Sequence, residues 1–209
     1  MKAIIFDLWD TLADLDRNTL NKIYEKLSDK LGHNKWQEIQ NEFYTWHTVY
    51  EEPTVFLKRI ISNYQLNEEQ AELCEKWLYN ENFRLYPEVN EIISKLANTY
   101  KLAIITNAAP TSVGFLEQSG IIEYFDVITY SFEVGVLKPD KKIFIDTAQK
   151  LEVDCEECLM IGDSLEKDVQ GALHVDMQAL LLDRKDNIDY KSKITDLREL
   201  PLYLDRINN

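Results

Sequence analysis

Residues 3–12 of the chain read AIIFDLWDTL, and this stretch decides the fold. Residues 3–8 are a short apolar run without polar alternation, which is typical of a strand buried on both faces of a parallel sheet. The run contains one acidic residue, Asp7. Because an unpaired carboxylate in a buried strand is energetically costly, we expect Asp7 to be paired or to be used chemically.

Apolar runs of the same kind recur along the chain, with helical patterns between them. The further apolar runs cover residues 102–106, 126–130, 158–162 and 179–182, and the helical patterns cover residues 88–99, 111–119, 140–151 and 165–174. Strands that alternate with helices are typical of a doubly wound fold. The sequence therefore predicts an α/β protein with a doubly wound, mostly parallel sheet.

The alternation is interrupted after the first strand, where the pattern predicts helices and no strand. Apolar residues in this stretch recur at helical spacing, as Leu20, Ile23 and Leu27 do. We interpret the stretch as an inserted α-helical cap domain. The predicted boundaries are residues 14–86 for the cap domain, and residues 1–13 and 87–209 for the core domain.

Composition excludes several classes of partner. The chain of 209 residues carries a formal net charge of −14, which argues against binding to nucleic acid or to an anionic membrane surface. The apolar stretch at the N-terminus is too short for a signal peptide or a membrane span. The three cysteines are an odd number without a disulfide framework. We therefore expect a cytoplasmic protein.

Polar residues follow the predicted strands where a ligand would bind, because ligands of open α/β sheets lie at the carboxyl ends of the strands. The residues in question are Asp7, Thr106, Asn107, Lys138, Asp163 and Asp168. Carboxylate oxygens are suitable ligands for Mg²⁺, and a lysine neutralises phosphoryl oxygens. A carboxylate can also attack phosphorus directly. This combination predicts phosphate chemistry.

Four segments of the sequence carry a family resemblance. IIFDLWDTL, IITNAAP, VGVLKPDKKIF and LMIGDSLEKDVQGA resemble, in order and spacing, the four motifs of haloacid dehalogenase-like hydrolases. The resemblance spans the whole chain when the helical insert is counted as the cap that many members carry at that point. It implies a Rossmann-like core and a Mg²⁺-dependent hydrolase, most simply a phosphatase that acts on a small phosphorylated metabolite.

The resemblance also implies roles for individual residues. Asp7 would be the nucleophile that forms an aspartyl-phosphate. Thr106 and the backbone of Asn107 would bind the phosphoryl oxygens. Lys138 would hold the charges of the nucleophile and the phosphate together.

The metal site is likewise implied by the resemblance. Asp7, Asp163 and the backbone carbonyl of Trp9 would bind Mg²⁺, and Asp168 would support that site or Lys138.

One position departs from the family pattern. Phosphatases of this family usually carry a second Asp two residues after the nucleophile, which protonates the leaving group and then activates water. Here that position is Trp9, and Asp10 follows it. Loss of a general acid or base costs about 10²–10⁴-fold in rate. We therefore expect a preference for good leaving groups, and we expect Asp10 to point away from the site.

Two alternatives follow from the same departure. The first is a 2-haloacid dehalogenase-type hydrolase, although those enzymes work without metal and lack the acid that corresponds to Asp163. The second is a catalytically weak homologue that binds a phosphorylated metabolite or a partner. The cap is expected to set specificity, and the residues of the cap that could face the pocket are Trp46, His47, Tyr50 and Glu51. The assembly is expected to be a monomer or a homodimer.

Overall fold

The computed structural model describes residues 1–15, 17–79 and 83–208. Its strands are β1 (Ala3–Phe6), β2 (Ala13–Leu15), β3 (Phe83–Leu85), β4 (Lys101–Thr106), β5 (Val127–Tyr130), β6 (Cys158–Gly162), β7 (Gln178–Leu182) and β8 (Lys193–Ile194). Its helices are α1 (Arg17–Leu31), α2 (His33–Trp46), α3 (Pro53–Asn63), α4 (Glu68–Leu78), α5 (Val89–Leu96), α6 (Ser112–Gln118), α7 (Ser131–Val134), α8 (Lys141–Leu151), α9 (Gly171–Leu173) and α10 (Leu200–Asn208). A π-helical turn (Leu165–Gln170) leads into α9, and short 3₁₀ turns cover Ile122–Tyr124, Cys155–Glu157 and Leu197–Glu199.

The central sheet has six parallel strands in the order β5-β4-β1-β6-β7-β8. Alternate residues of β1 point into two separate hydrophobic cores. Ile4 and Phe6 belong to one core, whereas Ala3 and Ile5 belong to the other. The apolar run is continuous because both faces of the strand are covered by helices. The predicted doubly wound α/β fold is confirmed.

The sequence located five of the six strands of this sheet to within a residue or two. The predicted strand at 158–162 coincides with β6, and the predicted strand at 179–182 differs from β7 by one residue. β8 and α10 were missed. β8 has only two residues, and a strand of that length is too short to show a periodic pattern of apolar residues.

Helices α1–α4 form a separate layer with a hydrophobic core of its own, and we call them the helical insert. Trp36, Leu27, Phe56 and Ile60 are almost fully buried in that core. α3 begins at Pro53, which tolerates the first helical position because its missing N–H would have no partner there. Amphipathic helices predicted from the spacing of apolar residues therefore account for this layer.

The prediction that residues 14–86 contain no strand was wrong. β2 and β3 pair antiparallel, with Ala13 opposite Leu85, and they flank the helical insert in the chain. Each strand has three residues, so neither shows the alternation by which a strand is recognised in sequence. This ribbon carries the chain from the sheet to the insert and back.

Among the described residues, the structure contains no helix that is both long and apolar enough to cross a membrane. All three cysteines are free thiols, and Cys74 and Cys158 are buried.

Candidate active site

Asp7 lies directly after β1, at the carboxyl edge of the sheet. Its backbone N–H donates to the carbonyl of Ile161 on the neighbouring strand over 2.8 Å, which continues the sheet pairing past the end of β1. Its side chain is buried, with 6% of the residue exposed. One carboxylate oxygen accepts a hydrogen bond from Lys138 Nζ at 2.5 Å, and the other accepts one from Thr11 Oγ1 at 3.4 Å. The carboxylate is thus paired, as expected for an acid in this position.

Lys138 is a buried lysine with three acceptors. Its Nζ donates to Asp7, to Asp168 Oδ1 at 2.7 Å and to the carbonyl of Ile105 at 3.0 Å. A lysine ammonium has three N–H donors, so these three bonds satisfy it completely. The ammonium is therefore fixed between the ends of β1 and β4 and the turn after β6.

Asn107 holds the backbone of Lys138 in place. Its Oδ1 accepts from the Lys138 N–H at 2.7 Å, and its Nδ2 donates to the Lys138 carbonyl at 3.1 Å. The sequence suggested only the backbone of Asn107 as a phosphate ligand, and it gave no sign of this side-chain role. The partner lies 31 residues further along the chain, so no local spacing could reveal it.

Asp168 is positioned by the turn that follows β6. Its Oδ2 accepts from the backbone N–H of Ser164 at 3.0 Å, while its Oδ1 faces Lys138. Gly162 ends β6 beneath this carboxylate, where a Cβ atom would come within 2.3 Å of Asp168 Cγ. Only glycine leaves room for Asp168 to reach Lys138 here.

Three carboxylates converge at this edge of the sheet. Oxygen atoms of Asp7, Asp163 and Asp168 all lie within 4.8 Å of one another. Burial raises the pKa of Asp7 to about 7, with Lys138 acting in the opposite direction and Asp168 and Asp163 adding to the rise. Burial likewise raises the pKa of Asp163 to about 6, and the charges of Asp168 and Asp10 contribute.

The pKa of Lys138 responds in the opposite sense. Burial alone would lower the pKa of Lys138, but Asp168 and Asp7 together raise it above its ordinary value. The ammonium therefore stays charged, and it faces more negative charge than it can neutralise. A group of hard oxygen donors with surplus negative charge suits a divalent cation such as Mg²⁺.

Thr106 ends β4 with a buried hydroxyl group. Its Oγ1 is fully buried, and no hydrogen bond to it is found among the described residues. A buried hydroxyl without a partner costs about 1–3 kcal/mol, so such a group usually has a specific role, such as binding a water, an ion or a ligand.

Comparisons with known proteins identify the family of the chain. A model of the haloacid dehalogenase-like hydrolase family matches residues 1–176. The chain belongs to this family. It is therefore a hydrolase with a Rossmann-like core.

Three similar proteins illustrate the relationship. A glyceraldehyde 3-phosphate phosphatase from Methanopyrus kandleri is 29% identical over 202 residues, which cover 88% of this chain and 84% of the relative. The crystal structure of a HAD phosphatase from Thermococcus onnurineus is 31% identical, covers 98% of both chains and superposes with a TM-score of 0.74. A 2-haloacid dehalogenase from Pseudomonas syringae has the same TM-score at 22% identity over 99% of both chains, and it shows the fold alone.

Trp9, two residues after Asp7, packs in an aromatic cluster. Its ring centroid lies 4.7 Å from that of Phe83 and 5.5 Å from that of Phe115. These contacts join the loop after β1 to β3 and to α6. Asp10 adopts a left-handed backbone conformation with φ 58°, and its N–H donates to the Ala13 carbonyl.

Asp10 lies in the turn of the loop after β1. We expected it to point away, because neighbouring residues of an extended segment face opposite sides. The chain turns at Asp10 instead, and its negative charge contributes to the raised pKa of Asp163. Asp10 thus adds to the negative field around the three carboxylates.

Arg184 holds the loop after Asp7 through hydrogen bonds of its guanidinium group. Its Nη2 donates to the carbonyl of Thr11 and its Nη1 to Glu88, both at 2.7 Å. The guanidinium also lies over the ring of Tyr86, 3.6 Å from its centroid. Arg184 therefore ties the loop after Asp7 to the segment where the chain returns from the insert. No motif in the sequence marked this residue.

A cavity of about 330 Å³ lies between the sheet and the helical insert. On the core side it is bordered by Trp9, two residues after Asp7, and by Asn107, which follows Thr106. Aromatic rings that also line the cavity are Phe43, Trp77 and Phe83. The volume is at the lower end of the range for small-molecule sites, about 300–1,000 Å³.

Of the four insert residues expected to face the pocket, only His47 lines this cavity. Trp46 is buried in the core of the insert, where its ring stacks on Phe56. Tyr50 is 59% exposed, and Glu51 forms an ion pair with Arg59. An aromatic stripe on a helix is more often core than ligand contact, and Trp46 follows that rule.

Proposed function

We propose that this hydrolase is a Mg²⁺-dependent phosphatase of small phosphorylated metabolites and that Asp7 is its nucleophile. The observation that carries the proposal is the buried contact of Asp7 with Lys138 beside Asp163 and Asp168, at the carboxyl edge of the sheet. The phosphatases among the relatives support the reaction class.

The donor set of the site fits Mg²⁺. Asp7, Asp163 and the backbone carbonyl of Trp9 would hold the cation, and Asp168 would support it while binding Lys138. Mg²⁺ prefers hard oxygen ligands and usually binds one or two carboxylates together with substrate phosphate. When bound, the cation would neutralise charge on the phosphoryl oxygens.

The reaction would proceed in two displacements. A carboxylate oxygen of Asp7 attacks phosphorus, the bond from phosphorus to the ester oxygen breaks, and that oxygen leaves with the electron pair. The Thr106 hydroxyl and the backbone N–H of Asn107 would bind phosphoryl oxygens. Water then attacks phosphorus, the bond to Asp7 breaks, and the carboxylate and inorganic phosphate are released as the proton of the water passes to solvent.

The helical insert would act as the cap over this site. We propose residues 14–86 as the cap domain and residues 1–13 and 87–209 as the core domain, because the insert has its own hydrophobic core and enters and leaves through the β2–β3 ribbon. A monomer or homodimer in the cytoplasm remains our expectation for the assembly and location.

The nucleophile is tested by Asp7→Asn, with Asp29→Asn on the exposed side of α1 as the control for the same chemical change. Purified protein should release phosphate from 4-nitrophenyl phosphate only with Mg²⁺. Asp7→Asn should reduce turnover below detection, and Asp29→Asn should leave it unchanged. Activity that survives Asp7→Asn, or that survives a chelator, would contradict the mechanism.

The two alternatives make different predictions. A dehalogenase would release halide from 2-chloropropionate in the presence of a chelator. The carboxylate of Asp163, which lies within 4.8 Å of those of Asp7 and Asp168, argues for the metal-dependent reaction instead. A catalytically weak homologue would bind inorganic phosphate but would turn over none of a broad panel of phosphate esters.

A further inference from the structure

The cavity beside Trp9 carries no positive charge among its described lining residues. His47 is the one titratable base among the lining residues that the structure describes. Burial, assisted by the charge of Lys167, lowers the pKa of His47 to about 4, so its ring is neutral at pH 7. The remaining polar groups of the lining are neutral amide and hydroxyl groups, such as those of Asn107 and Thr111.

This lack of positive charge restricts what the cavity can accept. A carboxylate or second phosphate on the substrate would meet no cation among the described lining residues, and a charge that is buried without a partner is strongly unfavourable. Lys138 cannot serve that group, because its three donors are used by Asp7, Asp168 and Ile105. The lining therefore favours a leaving group that is uncharged before its bond to phosphorus breaks.

The walls and the chemistry of the site favour an aromatic ring. The rings of Trp9, Phe43, Trp77 and Phe83 border the space, and aromatic pairs gain about 0.5–1.5 kcal/mol beyond their buried area. The family resemblance implies an acid at the position of Trp9 that would protonate the leaving oxygen, and an indole ring cannot supply that proton. A phenolate leaves without that proton far more readily than an alkoxide does. Tryptophan at position 9 thus adds a ring to the cavity wall, and it leaves an alkyl ester without an acid to protonate its leaving oxygen.

We propose that the substrate is an aryl phosphate, the phosphate monoester of an uncharged phenol, whose ring occupies the cavity against Trp9. This inference rests on the proposed phosphatase function and narrows its substrate class. In the first displacement the phosphorus–oxygen bond of the ester breaks, and the phenolate keeps the electron pair. It takes a proton from solvent afterwards.

The wild-type protein tests the proposal with four substrates and Mg²⁺. Phenyl and 3-carboxyphenyl phosphate have leaving groups of similar acidity and differ in charge, whereas benzyl and glycerol phosphate are alkyl esters with and without a ring. We expect kcat/KM for phenyl phosphate to exceed that for 3-carboxyphenyl phosphate by about tenfold or more, the effect of one unpaired buried group. Benzyl phosphate should be slower than phenyl phosphate and faster than glycerol phosphate.

A pair of neighbouring variants tests the position of the ring. Leu20 lines the cavity, whereas Asn21 on the same helix is exposed. Leu20→Arg should raise kcat/KM for 3-carboxyphenyl phosphate relative to phenyl phosphate by about tenfold, because it supplies the missing partner for the carboxylate. Asn21→Arg makes the same change in net charge and should leave the ratio unchanged.

The outcomes separate this inference from the function on which it rests. Equal kcat/KM for phenyl and 3-carboxyphenyl phosphate, or equal values for benzyl and glycerol phosphate, would overturn the aryl phosphate proposal while leaving the phosphatase intact. No Mg²⁺-dependent turnover of any phosphate ester would instead overturn the proposed function. If Leu20→Arg fails to fold in a thermal melt, the four wild-type rates still decide the question.

Discussion

At the scale of single residues, Lys138 supplies the positive charge that pairs with Asp7 and Asp168. It neutralises part of the charge of Asp7 and Asp168 in a place where none of the three side chains is more than 9% exposed. Removing one partner of a buried ion pair leaves the other charge uncompensated, which is strongly destabilising. Burial of this lysine is therefore tolerated only because both carboxylates are present.

We predict that Lys138→Met lowers the free energy of unfolding by about 3–5 kcal/mol, because Asp7 and Asp168 lose their cation. Chemical denaturation without Mg²⁺ measures the change. Lys141→Met is the control, because Lys141 is exposed at the start of α8 and an exposed substitution of this kind costs no more than about 0.5 kcal/mol. Equal stability of the two variants would show that the carboxylates do not need Lys138.

Trp9 determines how the rate depends on the leaving group. We predict that Trp9→Asp restores a general acid, so that the plot of log(kcat/KM) against leaving-group pKa becomes flatter. Alkyl phosphates should gain most, within the factor of about 10²–10⁴ that general acid catalysis supplies. Trp9→Phe keeps an apolar ring and should keep the steep slope. If the wild-type slope is already flat, another residue protonates the leaving oxygen.

At the scale of elements, the junction of β6 with the π-helical turn sets the position of Asp168. We predict that Gly162→Ala displaces Asp168, because the new Cβ would lie 2.3 Å from its Cγ. Overpacking of this kind costs about 1–3 kcal/mol, and turnover should fall with it.

Gly114→Ala in α6 is the matched control for Gly162→Ala. It has no atom within 4 Å of its added Cβ, and alanine is a better helix former than glycine, so stability should hold or rise slightly. Thermal unfolding and kcat measured on both variants decide the matter. A Gly162→Ala protein with wild-type kcat would mean that Asp168 can move without loss.

The sequence was most informative where an element is long and buried on both sides. β4 and β6 are continuous apolar runs because helices cover both faces of the sheet, so composition alone located them. The sequence did not predict β2 and β3, because these strands have three residues each and depend on pairing across 70 residues of chain. The π-helical turn at Leu165–Gln170 was predicted only as part of a regular helix.

At the scale of the whole molecule, the residues of the site could be listed from the sequence but their contacts could not. The order of the motifs places Asp7, Lys138 and Asp168 at one edge of the sheet, because parallel strands present their carboxyl ends together. The hydrogen bonds of the Asn107 side chain with the Lys138 backbone, and the contacts of Arg184, join segments that are far apart in sequence. Which insert residues line the cavity depends on how the insert packs, so the polar-aromatic stretch that the sequence offered contains His47 together with three residues that do not line it.

The net charge of the molecule should affect how fast an anionic substrate arrives. The chain carries a formal net charge of −14, and its site lysine is buried, so a phosphate dianion approaches against a negative field. Screening shortens the reach of that field from about 30 Å at 0.01 M salt to about 10 Å at 0.1 M. We predict that kcat/KM for phenyl phosphate rises as KCl increases from about 10 to 100 mM at constant free Mg²⁺.

The salt effect should appear in kcat/KM and leave kcat nearly unchanged, because it acts on the encounter and the reacting groups are buried. Replacing the acids Glu68, Glu72 and Glu75 of α4 with Gln removes three negative charges from the insert and should reduce the salt dependence. A fall of kcat/KM with salt would mean the reverse: the local positive charge of Lys138 and the bound cation would then outweigh the field of the whole molecule and attract the substrate.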